Sequence, residues 1–268
     1  MEHKNDFLSL LKTNGYQFGI NASNSMNNST QHFEPTEGTT VIVVRYSEGV
    51  VIAGDRRAIS GTSVVYDRAD KVIDIDDYSV LAISGSPAIA YELARILENS
   101  FKYYRRSQLQ ELSLEGKLRM LSKLIRDNLP MALQGIGAVI PIFAAYDETN
   151  GGSGKIFFYD ALGAQFECSD FSTTGSGSVW IRGALYYLNR WGEKRLVDME
   201  IEESITIVLR LLDAASEYDA ATGGYNRNSN IFPLVKTLNQ EGIHEMSADY
   251  LGEIYTRFVE KANAAMDT

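Results

Sequence analysis

The sequence predicts an α+β fold of four layers, an αββα sandwich in which two antiparallel sheets lie face to face between helices. Blocks of strand and helix patterns follow one another in the order β, αα, β, αα, β, α. This order differs from the strict βαβ alternation of a doubly wound fold and from an all-β sandwich. The first strand pattern, residues 40–46, is apolar on both faces, which is typical of a strand that is covered on both sides. A chain of 268 residues can bury the core that such a sandwich needs.

The strand patterns begin at a sharp change in composition at Thr39. From there β-branched residues dominate, and these residues favour strands. Residues 47–49 (Ser-Glu-Gly) reverse the chain, and residues 150–152 (Asn-Gly-Gly) supply the positive φ angles of a second tight reversal. The predicted strands are residues 40–46, 50–53, 71–75, 78–83, 139–146, 155–159 and 231–238, with a hairpin-like region that continues to about residue 174.

The helices are predicted from apolar residues at helical spacing. The first pair is marked by Ile89, Leu93, Ile96, Leu97 and Phe101, then by Leu114, Leu118, Leu121, Ile125 and Leu129. Gly135 and Gly137 end this pair. A second pair is predicted over about residues 179–189 and 202–217, and Ser247 is a suitable N-cap for a last helix.

Composition excludes several classes of function. The net charge of −10 disfavours nucleic acid or an anionic membrane as a general partner. The single Cys168 allows no internal disulfide, and the histidines His3, His32 and His244 do not cluster in the sequence, so we expect neither a metal site nor another cofactor. No segment approaches the roughly 20 apolar residues that span a bilayer, and the start of the chain is too charged for a secretory signal. The sequence therefore predicts a cytoplasmic protein.

The composition boundary also divides the chain into two parts. Residues 13–38 are rich in Asn, Ser, Thr, Gln and Gly, a composition that cannot bury enough apolar surface to order itself. We expect residues 1–38 to be a largely disordered leader and residues 39–268 to form an ordered domain. The boundary is the bond between Gly38 and Thr39.

Cleavage at that bond would give Thr39 a free α-amine. An N-terminal threonine carries a hydroxyl nucleophile and its own general base on one residue, so no histidine is required. A model α-amine has a pKa of about 7.7–8.0, so a large share is neutral near physiological pH. While its nitrogen stays in an amide, Thr39 has no such base.

Five short motifs follow the Gly-Thr-Thr start in a fixed order. They are Gly54-Asp55-Arg56-Arg57, Asp70-Lys71, Ser84-Gly85-Ser86, Thr174-Gly175-Ser176-Gly177-Ser178 and Asp219-Ala220-Ala221-Thr222-Gly223-Gly224. Together they resemble those of a bacterial proteasome β subunit, a member of the N-terminal nucleophile hydrolases, from Thr39 to about Asn263. The resemblance implies a threonine endopeptidase that cleaves itself between Gly38 and Thr39. Residues 1–38 would then be a propeptide that is removed on maturation, and residues 39–268 the catalytic domain.

The resemblance also implies a role for each matching residue. Thr39, Asp55 and Lys71 would be catalytic, with Lys71 a cation beside the hydroxyl and α-amine of Thr39 and Asp55 holding Lys71 in place. The backbone N–H of Gly85 would point at the developing oxyanion. As supporting residues, Ser176 would lie beside the nucleophile, and Asp219 and Thr222 would form hydrogen bonds around its α-amine. Thr222 stands where relatives often have serine.

The same correspondence predicts the pocket for the residue before the cut bond. Ala58, Ala69, Ile73 and Ile83 would line it, and the backbone of Ile59, which stands where threonine is usual, would hold the substrate in an extended conformation. Because none of these residues is charged, we expect cleavage after apolar or aromatic residues.

The implied partners are other copies of this chain in a seven-membered β ring, stacked on a second β ring and capped by rings of α subunits. A ring ATPase would feed unfolded proteins to the particle. Two alternatives stay open at this point: a simpler two-ring peptidase of the HslV type, and a non-catalytic ring subunit that keeps its leader.

Overall fold

Two antiparallel sheets form the centre of the computed structural model, which describes residues 38–60, 63–134, 137–150, 152–226 and 229–266. The first sheet contains, in spatial order, β10 (Phe171–Gly175), β1 (Thr40–Tyr46), β2 (Gly49–Gly54), β11 (Leu234–Asn239) and β12 (Gly242–Glu245). The second contains β5 (Val72–Asp76), β6 (Ser79–Ala82), β7 (Ile142–Asp147), β8 (Ser153–Tyr159) and β9 (Gln165–Cys168). The predicted propeptide before Gly38 and the helix-ending Gly135 lie outside the described residues.

Helices cover the outer face of each sheet. The second sheet is covered by α1 (Pro87–Gln108) and α2 (Leu114–Asp127), which the short α3 (Leu129–Leu133) follows. The first sheet is covered by α4 (Ser178–Trp191), α5 (Ile201–Tyr218) and α6 (Ala248–Met266). Short 3-10 turns occupy Glu148–Asn150 and Leu196–Asp198.

Local signals set where the helices begin. Pro87 stands at the first position of α1, where its missing N–H breaks no helical hydrogen bond. The Ser113 hydroxyl accepts a hydrogen bond from the Gly116 N–H at 3.2 Å and so caps α2. Glu200 and Glu203 form a reciprocal capping box at the start of α5.

Strand β1 has two buried faces because it lies between two layers. Val41 and Val43 pack between the sheets, whereas Ile42 and Val44 pack against the helices of the first sheet. In the second sheet, side chains of β6 and β7 divide in the same way between the inter-sheet core and the core beneath α1 and α2. The predicted four-layer αββα sandwich is therefore confirmed.

Two predicted strands begin later than expected, and a proline explains each. The strand expected from residue 139 begins at Ile142, since Pro141 has no N–H for the ladder. The strand expected from residue 231 begins at Leu234, directly after Pro233.

The structure also contains strands that the sequence did not predict. A separate hairpin pairs β3 (Ala58–Ser60) with β4 (Ser63–Tyr66), and β12 pairs with β11. Strand β4 is exposed along its whole length, so its residues lack the alternation of buried and exposed positions that identifies a strand.

The two sheets bring several motifs to one end of the sandwich. In the first sheet, the start of β1 pairs with the ends of β2 and β10, because these neighbours are antiparallel. In the second sheet, the start of β5 pairs with the end of β6. A Cβ atom on Gly54, at the end of β2, would lie 3.4 Å from Cβ of Lys71, just before β5. The residues that flank these strand ends therefore meet between the sheets.

Among the described residues, every helix is too short or too polar to cross a bilayer.

Candidate active site

Thr39 lies immediately before β1, and its peptide bond to Gly38 is intact. Its side chain is buried, and its hydroxyl donates a hydrogen bond to the Gly38 carbonyl oxygen at 2.7 Å. The Thr39 carbonyl oxygen accepts a hydrogen bond from the Ser176 N–H at 3.0 Å. The predicted nucleophile is therefore fixed from both sides, with its oxygen beside the predicted processing site.

Asp55 and Lys71 form a buried ion pair next to Thr39. The Lys71 Nζ lies 2.7 Å from Asp55 Oδ1, and the residues are 3% and 0% exposed. Asp55 directly follows β2 and Lys71 directly precedes β5, so the pair bridges the two sheets. The pair contacts the Thr40 N–H and the Gly38 carbonyl oxygen, on either side of Thr39, and its catalytic role stays a prediction.

The Asp55 carboxylate is fully hydrogen-bonded. Besides Lys71, it accepts bonds from the N–H groups of Thr40 at 2.7 Å, Arg57 at 2.9 Å and Gly223 at 2.9 Å. A buried charge is tolerated only where it is paired and hydrogen-bonded, and Asp55 meets both conditions. The three backbone donors hold this carboxylate rigidly toward Lys71.

The Lys71 ammonium has three protons and three acceptors. It donates to Asp55 Oδ1, to the Arg57 carbonyl oxygen at 2.5 Å and to the Gly38 carbonyl oxygen at 2.9 Å. Burial lowers the pKa of Lys71 below its ordinary value, while the charge and hydrogen bond of Asp55 act in the opposite direction. The cation thus touches the carbonyl group of the predicted processing site.

Gly85 occupies a position that only glycine fits. Its φ is +98°, and a Cβ atom there would lie 2.1 Å from the backbone oxygen of Ala138. The neighbouring Ser84 hydroxyl bonds to Thr174 Oγ1 and to the Ile140 carbonyl oxygen, each at 2.9 Å. These contacts tie the Ser-Gly-Ser turn to β10 and to the segment before β7.

Of the three predicted supporting residues, Ser176 contacts Thr39 directly, whereas Asp219 and Thr222 act on its neighbour Thr40. Thr222 Oγ1 donates to Asp219 Oδ2 at 2.5 Å and lies 2.6 Å from Thr40 Oγ1. Thr40 Oγ1 also accepts the Gly177 N–H at 2.9 Å. Asp219 and Thr222 therefore brace the first residue of β1. The side chain of Ser176 is exposed, and this residue reaches Thr39 through its backbone.

Several contacts of the site are not indicated by the sequence motifs. Thr40 contributes its N–H and its hydroxyl, and Gly223 and Arg57 contribute backbone groups to the ion pair. Gly175 packs so closely that a Cβ atom would lie 1.8 Å from the Thr39 carbonyl oxygen. The adjacent glycines of the two Gly-rich motifs were the available signal, since repeated glycine often marks a close backbone approach.

A cavity of about 480 Å³ opens beside the nucleophile, and we call it the Thr39 cavity. Its described lining consists of Gly38, Thr39, residues 84–86, 137–138 and 174–176, Ile140, Phe158, Ser178 and Arg182. Gly85 and Ser176 therefore share this cavity with Thr39. The described lining includes none of the five residues predicted to form or flank the substrate pocket.

Those five residues lie elsewhere around the site. The closest to the processing site is Ile59, whose Cγ1 would be 2.8 Å from a Cβ atom on Gly38. Ala58 is buried, whereas Ala69 and Ile73 are half-buried. Ile83 is 3% exposed and packs in the core between the second sheet and its helices. Their grouping as one substrate pocket stays a prediction.

The fold and the site together define a class of protein. A threonine at the start of a strand, beside a buried lysine–aspartate pair in an αββα sandwich, is the architecture of the N-terminal nucleophile hydrolases. A family model described as a proteasome subunit matches residues 36–227. The chain therefore belongs to the proteasome subunit family.

Relatives indicate the branch of this family. The chain is 36% identical to a proteasome subunit beta of Streptomyces griseus over 85% of this chain and 78% of the relative. It is 39% identical to a proteasome subunit beta 2 of Thermomonospora curvata (81% and 75%) and 37% identical to a proteasome subunit beta of Acidothermus cellulolyticus (84% and 77%). These similarities support a bacterial proteasome β subunit.

Proposed function

We propose that this chain is a threonine endopeptidase, made as a precursor that cuts its own Gly38–Thr39 bond. Residues 1–38 would be the propeptide and residues 39–268 the mature catalytic domain. The observation that carries the proposal is the contact of one carbonyl oxygen, that of Gly38, with both the Thr39 hydroxyl and the buried Lys71 ammonium.

In the precursor, these two donors polarise the carbonyl group that must be attacked. A positive charge 2.9 Å from the Gly38 oxygen stabilises the negative charge that develops there. Rotation about the Thr39 Cα–Cβ bond turns Oγ1 from the oxygen toward the carbonyl carbon. Oγ1 then bonds to the Gly38 carbonyl carbon, and the bond between this carbon and the Thr39 nitrogen breaks. The nitrogen takes up the hydroxyl proton. Water hydrolyses the resulting ester and leaves a free α-amine and a free hydroxyl.

In the mature enzyme, the α-amine of Thr39 is the general base. It takes the proton from Oγ as Oγ attacks a substrate carbonyl, and it returns the proton to the leaving amine. Lys71 stays a cation that favours the neutral amine and an alkoxide-like oxygen. The Gly85 N–H would bind the oxyanion. Water then releases the acyl half of the substrate.

Replacing Gly38 with alanine is expected to slow self-cleavage by about 10- to 100-fold. The new Cβ atom would lie 2.8 Å from Ile59 Cγ1 and 3.1 Å from Ala221 Cβ, at a φ of +98° that side chains rarely adopt. Backbone strain of this kind costs about 1–3 kcal/mol. A time course of intact mass measures the rate. Since Gly38 is absent from the mature enzyme, the processed fraction should be as active as wild type, and an unchanged rate would contradict the proposed pose.

Replacing Asp55 with asparagine is expected to move the alkaline limb of kcat/KM to lower pH. The charge of Asp55 raises the pKa of Lys71 against the effect of burial, so its removal lowers this pKa further. Lys71 then loses its proton at a lower pH than in wild type, and activity falls there because the cation is lost. The pH profile of peptide hydrolysis by processed enzyme measures the shift. Asp70→Asn is the matched control, because Asp70 is an exposed carboxylate paired with Arg56; equal profiles for the two variants would refute the assignment.

We further propose cleavage after apolar or aromatic residues. Two observations support this preference. A side chain in place of Gly38, the residue before the cut bond, would contact Ile59. The side chains of the predicted pocket are all uncharged, namely those of Ala58, Ile59, Ala69, Ile73 and Ile83. A panel of peptides that differ only in the residue before the cut bond tests both activity and preference. We expect the highest kcat/KM for leucine, phenylalanine or tyrosine. Preference for a basic or acidic residue would overturn the specificity, and no hydrolysis by processed particles would overturn the enzyme assignment.

As a member of this family, the chain is a subunit of a particle built from α and β subunits. The finer arrangement is part of the proposal: seven copies form a β ring, two β rings stack, and α rings cap them. A ring ATPase would deliver unfolded proteins to the cytoplasmic particle. The named relatives are proteasome β subunits, which favours this arrangement over a peptidase of the HslV type.

A further inference from the structure

The Thr39 cavity carries a charge that the proposed reaction does not use. Among its described lining residues, Arg182 is the only one with an ionised side chain. The others are glycine, alanine, serine, threonine and two apolar residues. In a chain whose net charge is −10, a cleft with only a cation beside the nucleophile is a distinct electrostatic feature.

The direction of Gly38 indicates which half of a substrate enters this cavity. In self-cleavage Gly38 is the acyl residue, and its side-chain direction leads to Ile59 and Ala221. Neither of these residues is in the described lining of the Thr39 cavity. The side chain of an acyl residue therefore points away from the cavity, which leaves the cavity for the segment after the cut bond. This step rests on the proposed function.

One hydrogen bond holds the Arg182 guanidinium in place and leaves other N–H donors available. It lies on the first turns of α4, and its Nη2 donates a hydrogen bond to the Thr173 carbonyl oxygen at 3.1 Å. That bond holds the guanidinium near the end of β10, next to the segment that contacts Thr39. Within the described part of the chain it forms no salt bridge, and a guanidinium has five N–H donors. Its charge can therefore act on a ligand in the cavity.

We propose that the Thr39 cavity binds the first residues after the cut bond and that Arg182 favours a carboxylate there. The carboxylate could belong to an acidic side chain or to the terminal carboxyl group of a short peptide. A cavity of about 480 Å³ has room for such a segment, since ligand pockets span about 300–1,000 Å³. Arginine forms charge-assisted hydrogen bonds with carboxylates, and solvent at the cavity mouth limits the expected preference to about three- to tenfold.

The test uses assembled, processed particles and internally quenched peptides that share one apolar acyl half. The residue after the cut is Glu, Gln or Lys in peptides that end in an amide, and one further Gln peptide has a free terminal carboxyl group. For wild type, Arg182→Met and Arg182→Glu, kcat/KM is measured with each peptide. The readout is the ratio of these values between peptides for one protein. Arg190→Met is the control, because Arg190 lies on the same helix outside the described cavity lining, over the ring of Trp191.

In wild type and in Arg190→Met we expect Glu to be favoured over Gln, and Gln over Lys. Arg182→Met should remove this order and Arg182→Glu should reverse it, with the wild-type preference falling as salt increases. A gain with amide-ended Glu peptides assigns the carboxylate to a side chain, and a gain confined to the free-acid peptide assigns it to a chain terminus. Hydrolysis with the same ratios in wild type and Arg182→Glu would overturn this inference alone. No hydrolysis of any peptide by wild type would overturn the proposed function and this inference with it.

Discussion

The variant Thr39→Ala is expected to keep its leader and to hydrolyse no peptide. The substitution removes the hydroxyl that contacts the Gly38 carbonyl oxygen, so neither the ester of self-cleavage nor the acyl-enzyme of hydrolysis can form. Loss of a nucleophile in comparable hydrolases lowers the rate on the order of 10⁶-fold. Intact mass reports processing, and a fluorogenic peptide with an apolar residue before the cut reports hydrolysis.

A serine variant separates chemistry from folding in this experiment. Thr39→Ser keeps a hydroxyl and an α-amine, so it should process itself and retain activity, although more slowly than wild type. Thr39→Ala removes one buried hydrogen bond, which changes stability by only about 1 kcal/mol, and it should assemble normally. Removal of the leader from Thr39→Ala, or hydrolysis above background by it, would refute the assignment of the nucleophile.

Replacing Lys71 with methionine should have the second largest effect. It removes the cation that contacts the Gly38 oxygen and leaves Asp55 buried without its ionic partner. Breaking one partner of a buried pair costs about 3–5 kcal/mol of stability, and losing a group that assists proton transfer lowers rates about 10²- to 10⁴-fold. Chemical denaturation and the rate of self-cleavage measure the two effects.

A second buried lysine provides the matched control for Lys71. Lys117 is 9% exposed and pairs with Asp76 at 2.6 Å, on α2 at the outer side of the second sheet. Lys117→Met should lower stability and leave self-cleavage unchanged in the folded fraction. The double variant of Asp55→Asn and Lys71→Met should regain part of the stability without regaining the reaction. Equal loss of processing in the Lys71 and Lys117 variants would show that Lys71 acts on stability alone, and would refute its role in self-cleavage.

Much of the fold could be predicted because the spacing of apolar residues indicates which faces of a strand or helix are buried. Strand β1 was recognised from apolar residues on both faces, and it is buried on both faces in the sandwich. Helices α1 and α2 were recognised from the spacing of residues that pack beneath them. The exposed hairpin of β3 and β4 could not be found in this way, and the proline before each of β7 and β11 moved the strand starts.

The site was predictable in part for a different reason. Asp55 and Lys71 were identified from the order of short motifs, and the sheet register brings them together at Thr39. Backbone partners such as the Gly223 N–H and the Arg57 carbonyl oxygen leave no mark on residue type, so sequence could not identify them. Residue type also does not indicate which way a side chain points at the end of a strand. Ile83 is buried beneath the helices of the second sheet, and its place in a substrate pocket stays a prediction.

The intact mass of this chain after assembly with α subunits tests the proposed self-cleavage most directly. We expect a single species that lacks residues 1–38 and begins at Thr39, because only cleavage of the Gly38–Thr39 bond gives the threonine its free α-amine. A full-length mass in a completely assembled particle would refute self-cleavage. The αββα sandwich would then belong to a ring subunit that retains its leader and has no catalytic threonine.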